Sequence, residues 1–339
     1  MTGPYLVTGA SGFAGRHLLE SRAAGTKAVA LVRDADAWAG ESWAAGLADV
    51  TPVQGSLASL DGWTEELPPL KGIFHFAALV RHSRVGADEV YATNVEGTLN
   101  MVRLAARHAC RVVMLSTSGT VACFDSPAEA ADETADFCET TVAGWPYYHS
   151  KVVAERRARQ LADELGVELV FIRPPVLLGP GDHRFRSTSN IIRMLRGRLP
   201  FLIQGGMHFI DIRDAMHAIW CAMERPEARP VYHLAGTSST IEEFFDMVGE
   251  VAGVRAPHRI LPYWLAKRIA AADEWLGMKL RGEPLHFFPG PVVVEMARHY
   301  WGLESLYARD ELGYASREPL ETLRDTVEWL RANHPKLRK

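Results

Sequence analysis

The segment Tyr5-Leu6-Val7-Thr8 has strand-forming character and runs straight into Gly9-x-x-Gly12-x-x-Gly15. That junction constrains the fold more than any other feature of the chain. Three glycines at this spacing allow a tight strand-to-helix turn, a close approach to the backbone, and tight packing of the helix on its sheet. The helix that opens there presents free N–H groups and a positive dipole end, which suit phosphate. Glycines also mark ordinary turns. The strand before this one and the helical pattern after it give the signal its weight.

The alternation continues down the chain. Strand candidates are Tyr5–Thr8, Ala28–Val32, Val50–Gln54, 72–76, Arg111–Leu115 and 168–172. Helical patterns cover 12–23, 87–109 and 145–165. This reads as an α/β fold, a doubly wound parallel sheet of the Rossmann type, with ligand outside the carboxyl ends of the strands. Arg173-Pro174-Pro175 ends the regular pattern. We therefore expect a dinucleotide-binding domain at 1–175 and a smaller mixed α/β substrate lobe at 176–339. Segments of about 207–235 are expected to return to the sheet. Within the lobe, Gly179-Pro180-Gly181-Asp182 is a turn cluster. Residues 187–196 read as a helix capped by Ser187, and Phe209-Ile210-Asp211 and 231–234 read as short strands. The stretches 213–224, 240–252, 262–276 and 317–333 read as helices.

The 339 residues suit two domains, and 47% hydrophobic with 23% charged residues suits a soluble globular protein. A net charge of −4 with scattered bases leaves no footprint for nucleic acid or an acidic membrane. There is no apolar run of about 18 residues and no leader-like N-terminus, so neither a membrane span nor secretion is expected. The four cysteines lack metal-ligand spacing, which suits a reducing cytoplasm and no bound metal.

The turn implies a dinucleotide. Gly9, Ser11, Gly12, Phe13 and Ala14 would hold its pyrophosphate. The second strand ends at Val32-Arg33, facing the adenosine ribose. A carboxylate there would select NAD, whereas the Arg33 fork suits the 2′-phosphate of NADP. Asp34 is adjacent and could reach the ribose instead, so NAD stays open. Ser56, followed by Leu57, could bond the adenine or cap its own turn. The small strand end Ala77-Ala78-Leu79 would let the cofactor pass close to the backbone. Asn94, in the long helix, could fix strand ends. Ser116, Pro174 and Val176 complete the expected cofactor contacts, with Tyr147 and Lys151 also at the nicotinamide end.

A hydride delivered to a carbonyl builds an alkoxide that needs a proton. Tyr147 suits that acid. Lys151, four residues on, shares its helix face and would lower the phenol's pKa. Pro146 suits the first turn of that helix. Ser118, at the end of the fifth strand with Thr117 alternating away from it, would hold the substrate oxygen, with Thr120 as a second hydroxyl. Tyr148 lies about 100° round the helix. Tyr263-x-x-x-Lys267 repeats the spacing, but no Ser/Thr strand end or helix-start signal precedes it. It reads as an ordinary amphipathic helix.

Together these residues resemble the extended short-chain dehydrogenase/reductase superfamily. The resemblance rests on Thr8 to Gly15, Phe74-His75-Phe76-Ala77-Ala78, Asn94-Val-x-Gly-Thr, Ser116-Thr117-Ser118 and Tyr147-x-x-x-Lys151. It continues through Arg173-Pro174-Pro175, Gly179-Pro180-Gly181-Asp182 and Phe209 to Asp214. It implies a Ser/Tyr/Lys site, bound NAD(P) and a homodimer through helices flanking the sheet. Leu31-Val32-Arg33, Leu261 to Trp264, Gly282-Glu283-Pro284 and Leu312-Gly313-Tyr314 are similar to the dihydroflavonol-reductase-like and 3β-hydroxysteroid-dehydrogenase-like branches. Where Ser56 stands, family members often carry Asp.

The leading expectation is an NADP-dependent oxidoreductase of a ketone, aldehyde or secondary alcohol on an apolar small molecule. The alternative is a nucleotide-sugar epimerase or dehydratase with tightly bound NAD, for which Arg186, Arg193 and Arg213 could meet a pyrophosphate. A protein that binds NADP without turnover is a third reading, and the Ser118/Tyr147/Lys151 trio argues against it. His82, Arg84, Trp145, His183, Phe185 and Phe209 are candidate walls of the substrate site.

Overall fold

The computed structural model describes residues 3–283, 285 and 287–337. Pro284 of the Gly282-Glu283-Pro284 stretch lies outside them. Twelve strands form: β1 (Tyr5–Thr8), β2 (Ala28–Val32), β3 (Val50–Gln54), β4 (Gly72–His75), β5 (Arg111–Leu115), β6 (Ala130–Ala131), β7 (Leu169–Arg173), β8 (Val176–Leu178), β9 (Gly206–Asp211), β10 (Val231–His233), β11 (Thr237–Thr240) and β12 (Gly302–Leu303).

Seven of them make one parallel sheet in the order β3-β2-β1-β4-β5-β7-β10. Strands β1, β2, β4 and β7 are buried at every residue, because helices cover both faces. β3 is half exposed and holds Pro52, which an edge strand tolerates. On one face, Leu18 and Leu19 of the helix Phe13–Ser21 meet Met216 and Ile219 of the helix Ile212–Glu224. On the other, Leu99 and Val102 of the helix Gly97–His108 meet Ala154 and Ala158 of the helix Pro146–Leu165. The order of strand addition reverses between β1 and β4, where Thr8 stands beside His75. The doubly wound fold expected from the alternation is therefore present.

Smaller sheets carry the rest. β11 runs antiparallel to β9, and β9 runs parallel to β8. β12 pairs with β6. Within 207–235, Val231–His233 joins the main sheet and Ile212–Glu224 covers it, whereas β9 belongs to the smaller sheet. Phe209 is a core residue and not a site wall. It is 1% exposed and packs edge-on to Phe244 at 5.4 Å, because its strand is sandwiched under the helix Ile241–Ala252.

Three helical expectations shift in detail. The 87–109 stretch divides into Ala87–Tyr91, a π-helical turn at Ala92–Glu96, and Gly97–His108. The 187–196 helix spans Ser189–Leu195 without a side-chain cap. Ser187 does not cap it, because buried Asp182 already accepts from the Thr188 N–H at 3.0 Å and hydroxyl at 2.9 Å. The 262–276 helix runs on to Arg281 before Gly282 ends it at φ 75°.

Candidate active site

The glycine turn opens onto the switch point. Gly9 has φ 70°, and a Cβ there would lie 2.7 Å from the Ala77 nitrogen. No side chain fits between β1 and the end of β4. At Gly15 a Cβ would lie 2.3 Å from the Gly9 oxygen, so this glycine brings the helix against the turn. Gly12 begins the helix Phe13–Ser21 in an extended conformation, and no side chain caps it. Its first N–H groups are thus left for an anion, and the turn fits a dinucleotide pyrophosphate. Exposed Ser11 is reached by Arg184 at 3.3 Å.

Beneath the turn lies a buried polar chain absent from the sequence-derived site. Thr8 Oγ1 accepts from the Phe76 and Ala77 N–H groups, each at 3.2 Å. Its own proton therefore goes to His75 Nδ1, 2.8 Å away. The ring then carries its proton on Nε2 and donates to Thr98 Oγ1 at 3.0 Å. Thr98 donates in turn to the Asn94 carbonyl at 2.7 Å. Burial, helped by the charge of Lys151, pushes the His75 pKa down to about 3, so the ring stays neutral.

Asn94 sits in the π-helical turn. Its Oδ1 accepts from the Leu79 N–H at 2.7 Å. Its Nδ2 donates to the Leu79 carbonyl at 3.2 Å and to the Ser150 hydroxyl at 3.0 Å. These bonds tie the end of β4 to the helix that carries Ser150. Ala77, Ala78 and Leu79 are half-buried at the rim.

At the ribose end, Arg33 is exposed and makes no hydrogen bond or ion pair with other described residues. Asp34 instead caps the helix Ala35–Ala39, accepting from the Ala37 N–H at 2.9 Å. Ser56 Oγ accepts from the Ala58 N–H at 3.1 Å, so it caps its turn. Leu57 packs on Gly97, whose Cβ would lie 3.0 Å from the leucine.

The helix Pro146–Leu165 starts with Pro146 in its first turn and ends at Gly166 with φ 66°. Lys151, Ala154, Glu155, Ala158 and Ala162 lie on its buried face, at the i, i+3, i+4 spacing. Lys151 Nζ donates to the Leu115 carbonyl at 2.8 Å. Burial pulls its pKa down to about 8, while Glu155 opposes that shift. Burial pushes the Tyr147 phenol up to about 12. The direction is opposite to the expected lowering, because desolvation of the phenolate is what sets the shift. Tyr147 therefore holds its proton.

Sequence reasoning also missed Glu155. Burial pushes its carboxyl up. The charge and hydrogen bonds of Arg173, the Ser116 hydroxyl and Lys151 together outweigh that and hold it below the ordinary value. Arg173 reaches it at 2.6 Å, both groups being buried. The signal was present, since Tyr147, Lys151 and Glu155 are successive four-residue steps on one face. Ser116 donates its hydroxyl to Glu155.

Ser118 is not on the strand. It begins a 3₁₀ turn, Ser118–Thr120, so strand alternation does not orient it. Its N–H donates to the Pro174 carbonyl at 2.8 Å. Thr120 is completely buried and donates to the Thr117 carbonyl at 2.9 Å, so it offers no second hydroxyl. Tyr148 lies against this turn. A Cβ on Gly119 would be 2.2 Å from the Tyr148 ring. Val176, beyond Pro174, is exposed in β8.

His82 faces both tyrosines. Its ring is edge-on to Tyr147 at 5.3 Å and tilted to Tyr148 at 5.7 Å. Burial pulls its pKa down to about 4, and its buried Nδ1 has no partner among the described residues. Trp145 donates from Nε1 to Glu295 at 3.1 Å, and Arg84 pairs with the same carboxylate at 2.5 Å. His183 and Phe185 stack on Trp329 instead. Arg213 is held by Asp211 and Asp325, each at 2.7 Å, so it is not a free pyrophosphate ligand.

A parallel doubly wound sheet, a glycine turn at its switch point and a buried Tyr/Lys helix define a dinucleotide-dependent enzyme. The sequence model of the NAD dependent epimerase/dehydratase family matches residues 5–242, and the chain belongs to that family. It is an NAD(P)-dependent enzyme of the extended short-chain dehydrogenase/reductase type. A putative dihydroflavonol 4-reductase of Synechocystis sp. is 26% identical, over 97% of this chain and 95% of its own. A 4-hydroxy-2-methyl-3-oxo-4-farnesyl-3,4-dihydroquinoline-1-oxide ketoreductase of Stigmatella aurantiaca is 30% identical, over 92% of this chain and 91% of its own. The crystal structure of gox2253 superposes with a TM-score of 0.81 at 27% identity, covering 98% of this chain and 99% of that one.

Proposed function

We propose that the protein is an NADP-dependent reductase of a ketone or aldehyde, reversible toward the secondary alcohol, acting through Ser118, Tyr147 and Lys151. The observation that carries this reading is the protonated, desolvated Tyr147 one helical turn from the buried ammonium of Lys151. When bound, NADPH supplies the hydride. Ser118 donates a hydrogen bond to the carbonyl oxygen and polarises it. Tyr147 gives its proton to the oxygen as charge builds there. Lys151 is anchored at the Leu115 carbonyl and stabilises the phenolate left behind. Neutral His75 adds no competing charge.

Arg33 supports NADP. It stands exposed, while its acidic neighbour is engaged as a helix cap. The lobe beyond residue 175 supplies the substrate walls, and a homodimer in a cytoplasmic setting accompanies this reading. Purified protein should oxidise NADPH in the presence of a panel of apolar carbonyl compounds. Silence with both NADPH and NADH would overturn the assignment. Arg33→Glu should lower the preference for NADPH over NADH by about 10- to 100-fold. The epimerase/dehydratase reading keeps the family's name behind it. Protein that purifies with stoichiometric NAD and ignores added NADPH would favour it.

A further inference from the structure

The helix Tyr263–Arg281 has its large side chains on the wrong side for a helix that only packs on its own protein. Ala266, Ala270 and Gly277 face inward. Ala266 and Ala270 meet Val294 and Leu261 in a small cluster. The bulky residues point out. Seven of the fifteen exposed large apolar side chains among the described residues fall between Trp264 and Phe287. Trp275 is 64% exposed, Leu280 66% and Phe287 86%. Trp264 and Trp275 are three helical turns apart and share one stripe. An apolar surface this concentrated marks an interaction site.

Charge identifies the partner. The helix holds four bases, Lys267, Arg268, Lys279 and Arg281, against two acids, Asp273 and Glu274. All four bases are exposed, and both acids are half-buried. Asp273 is further engaged by the Phe287 N–H at 3.1 Å. The face is thus basic on a chain of net charge −4. Arg268 lies over the Trp264 ring at 5.8 Å and Lys279 over the Trp275 ring at 5.1 Å. Exposed tryptophans and leucines interleaved with bases suit the interface of an anionic bilayer, where rings enter the headgroup zone and cations meet lipid phosphates. A second copy of the chain fits less well, because a two-fold contact would bring these bases toward one another. No helix among the described residues is long and apolar enough to cross a membrane, so the contact lies on the surface.

We infer that the helix Tyr263–Arg281 and the adjoining Phe287 dock the protein peripherally on anionic lipid membranes. The test uses the full chain and does not depend on the catalytic reading. Protein is pelleted with phosphatidylcholine vesicles, with and without phosphatidylserine. Pelleting should require phosphatidylserine and weaken with salt. Trp264→Ser/Trp275→Ser/Leu280→Ser should lower vesicle affinity by more than about tenfold at an unchanged melting temperature. Lys279→Glu should lower it by at least about fivefold. Failure of the native chain to pellet, or equal pelleting of both variants, overturns the proposal. So does a concentration-dependent dimer that the triple variant dissolves, which would assign this face to a second copy.

Discussion

The chain contains the same spacing twice. Tyr147-x-x-x-Lys151 begins one long helix and Tyr263-x-x-x-Lys267 begins another. Around the first, the helix turns its polar residues toward the sheet. Lys151 is 3% exposed and bonded to a strand carbonyl, with Glu155 completely buried one turn on. Around the second, small residues face the protein, and Lys267 stands in solvent, 3.8 Å from Glu295. A four-residue step puts a phenol and an ammonium on one side of a helix in both places. Desolvation, largest among the causes at both Tyr147 and Lys151, turns that neighbourhood into altered acid strength.

The sharpest challenge to this contrast is removal of the two phenolic hydroxyls. Tyr147→Phe should reduce kcat by about 10²–10⁴-fold with NADPH affinity retained, as read by steady-state rates and cofactor titration. Tyr263→Phe should leave both unchanged. Equal effects would erase the distinction between the helices.

Next in size come the carboxylates that serve each lysine. Glu155→Ala leaves Arg173 uncompensated in the interior and should cost about 3–5 kcal/mol in chemical denaturation. Glu295→Ala beside Lys267 removes less buried pairing and should cost about 1 kcal/mol or less in that Lys267 contact, measured by a double-mutant cycle with Lys267→Ala. The smallest effect is a titration. Lys151 loses its charge as pH rises through about 8, so kcat/KM should fall above that pH. Glu155 raises the lysine pKa, so Glu155→Gln should move the fall to lower pH. Lys267→Met should leave the profile in place.

An acid limb follows from the histidines. His75 and His233 titrate in the folded chain at about 3 and 4, below the ordinary 6.5. The unfolded chain therefore binds more protons below pH 6.5, and folding stability declines as pH drops from there toward 3. Melting temperatures followed across that range should fall. A flat curve would show that neither ring is buried neutral.

Much of the main sheet was legible because its strands are short β-branched runs between helical periods. β1, β2, β3 and β5 match their expected ends. The smaller sheet was harder to read. Thr237–Thr240 is a polar Thr/Ser run, and it becomes a strand only because β9 is there to pair with it. The helices Pro291–Ala297 and Leu306–Leu312 are too short for a clear period. Within the site, Gly9, Tyr147 and Lys151 declare themselves by spacing. His75 and Thr98 do not, because they are joined across 23 residues of sequence. Thr120 and Ser116 look like available hydroxyls in the sequence, but Thr120 is engaged within its own turn and Ser116 by Glu155, 39 residues on.

The Asn94 amide has one more consequence. It grips both backbone groups of Leu79 and also holds Ser150, one residue before Lys151. The end of the β4 loop and the helix carrying Tyr147 are thereby clamped into a single mechanical part. Residues 80–86, with His82, run from that clamp to the helix Ala87–Tyr91, and Arg84 ties them to Glu295 at 2.5 Å. The register between the end of the sheet and that helix is thus set by one side chain that belongs to neither.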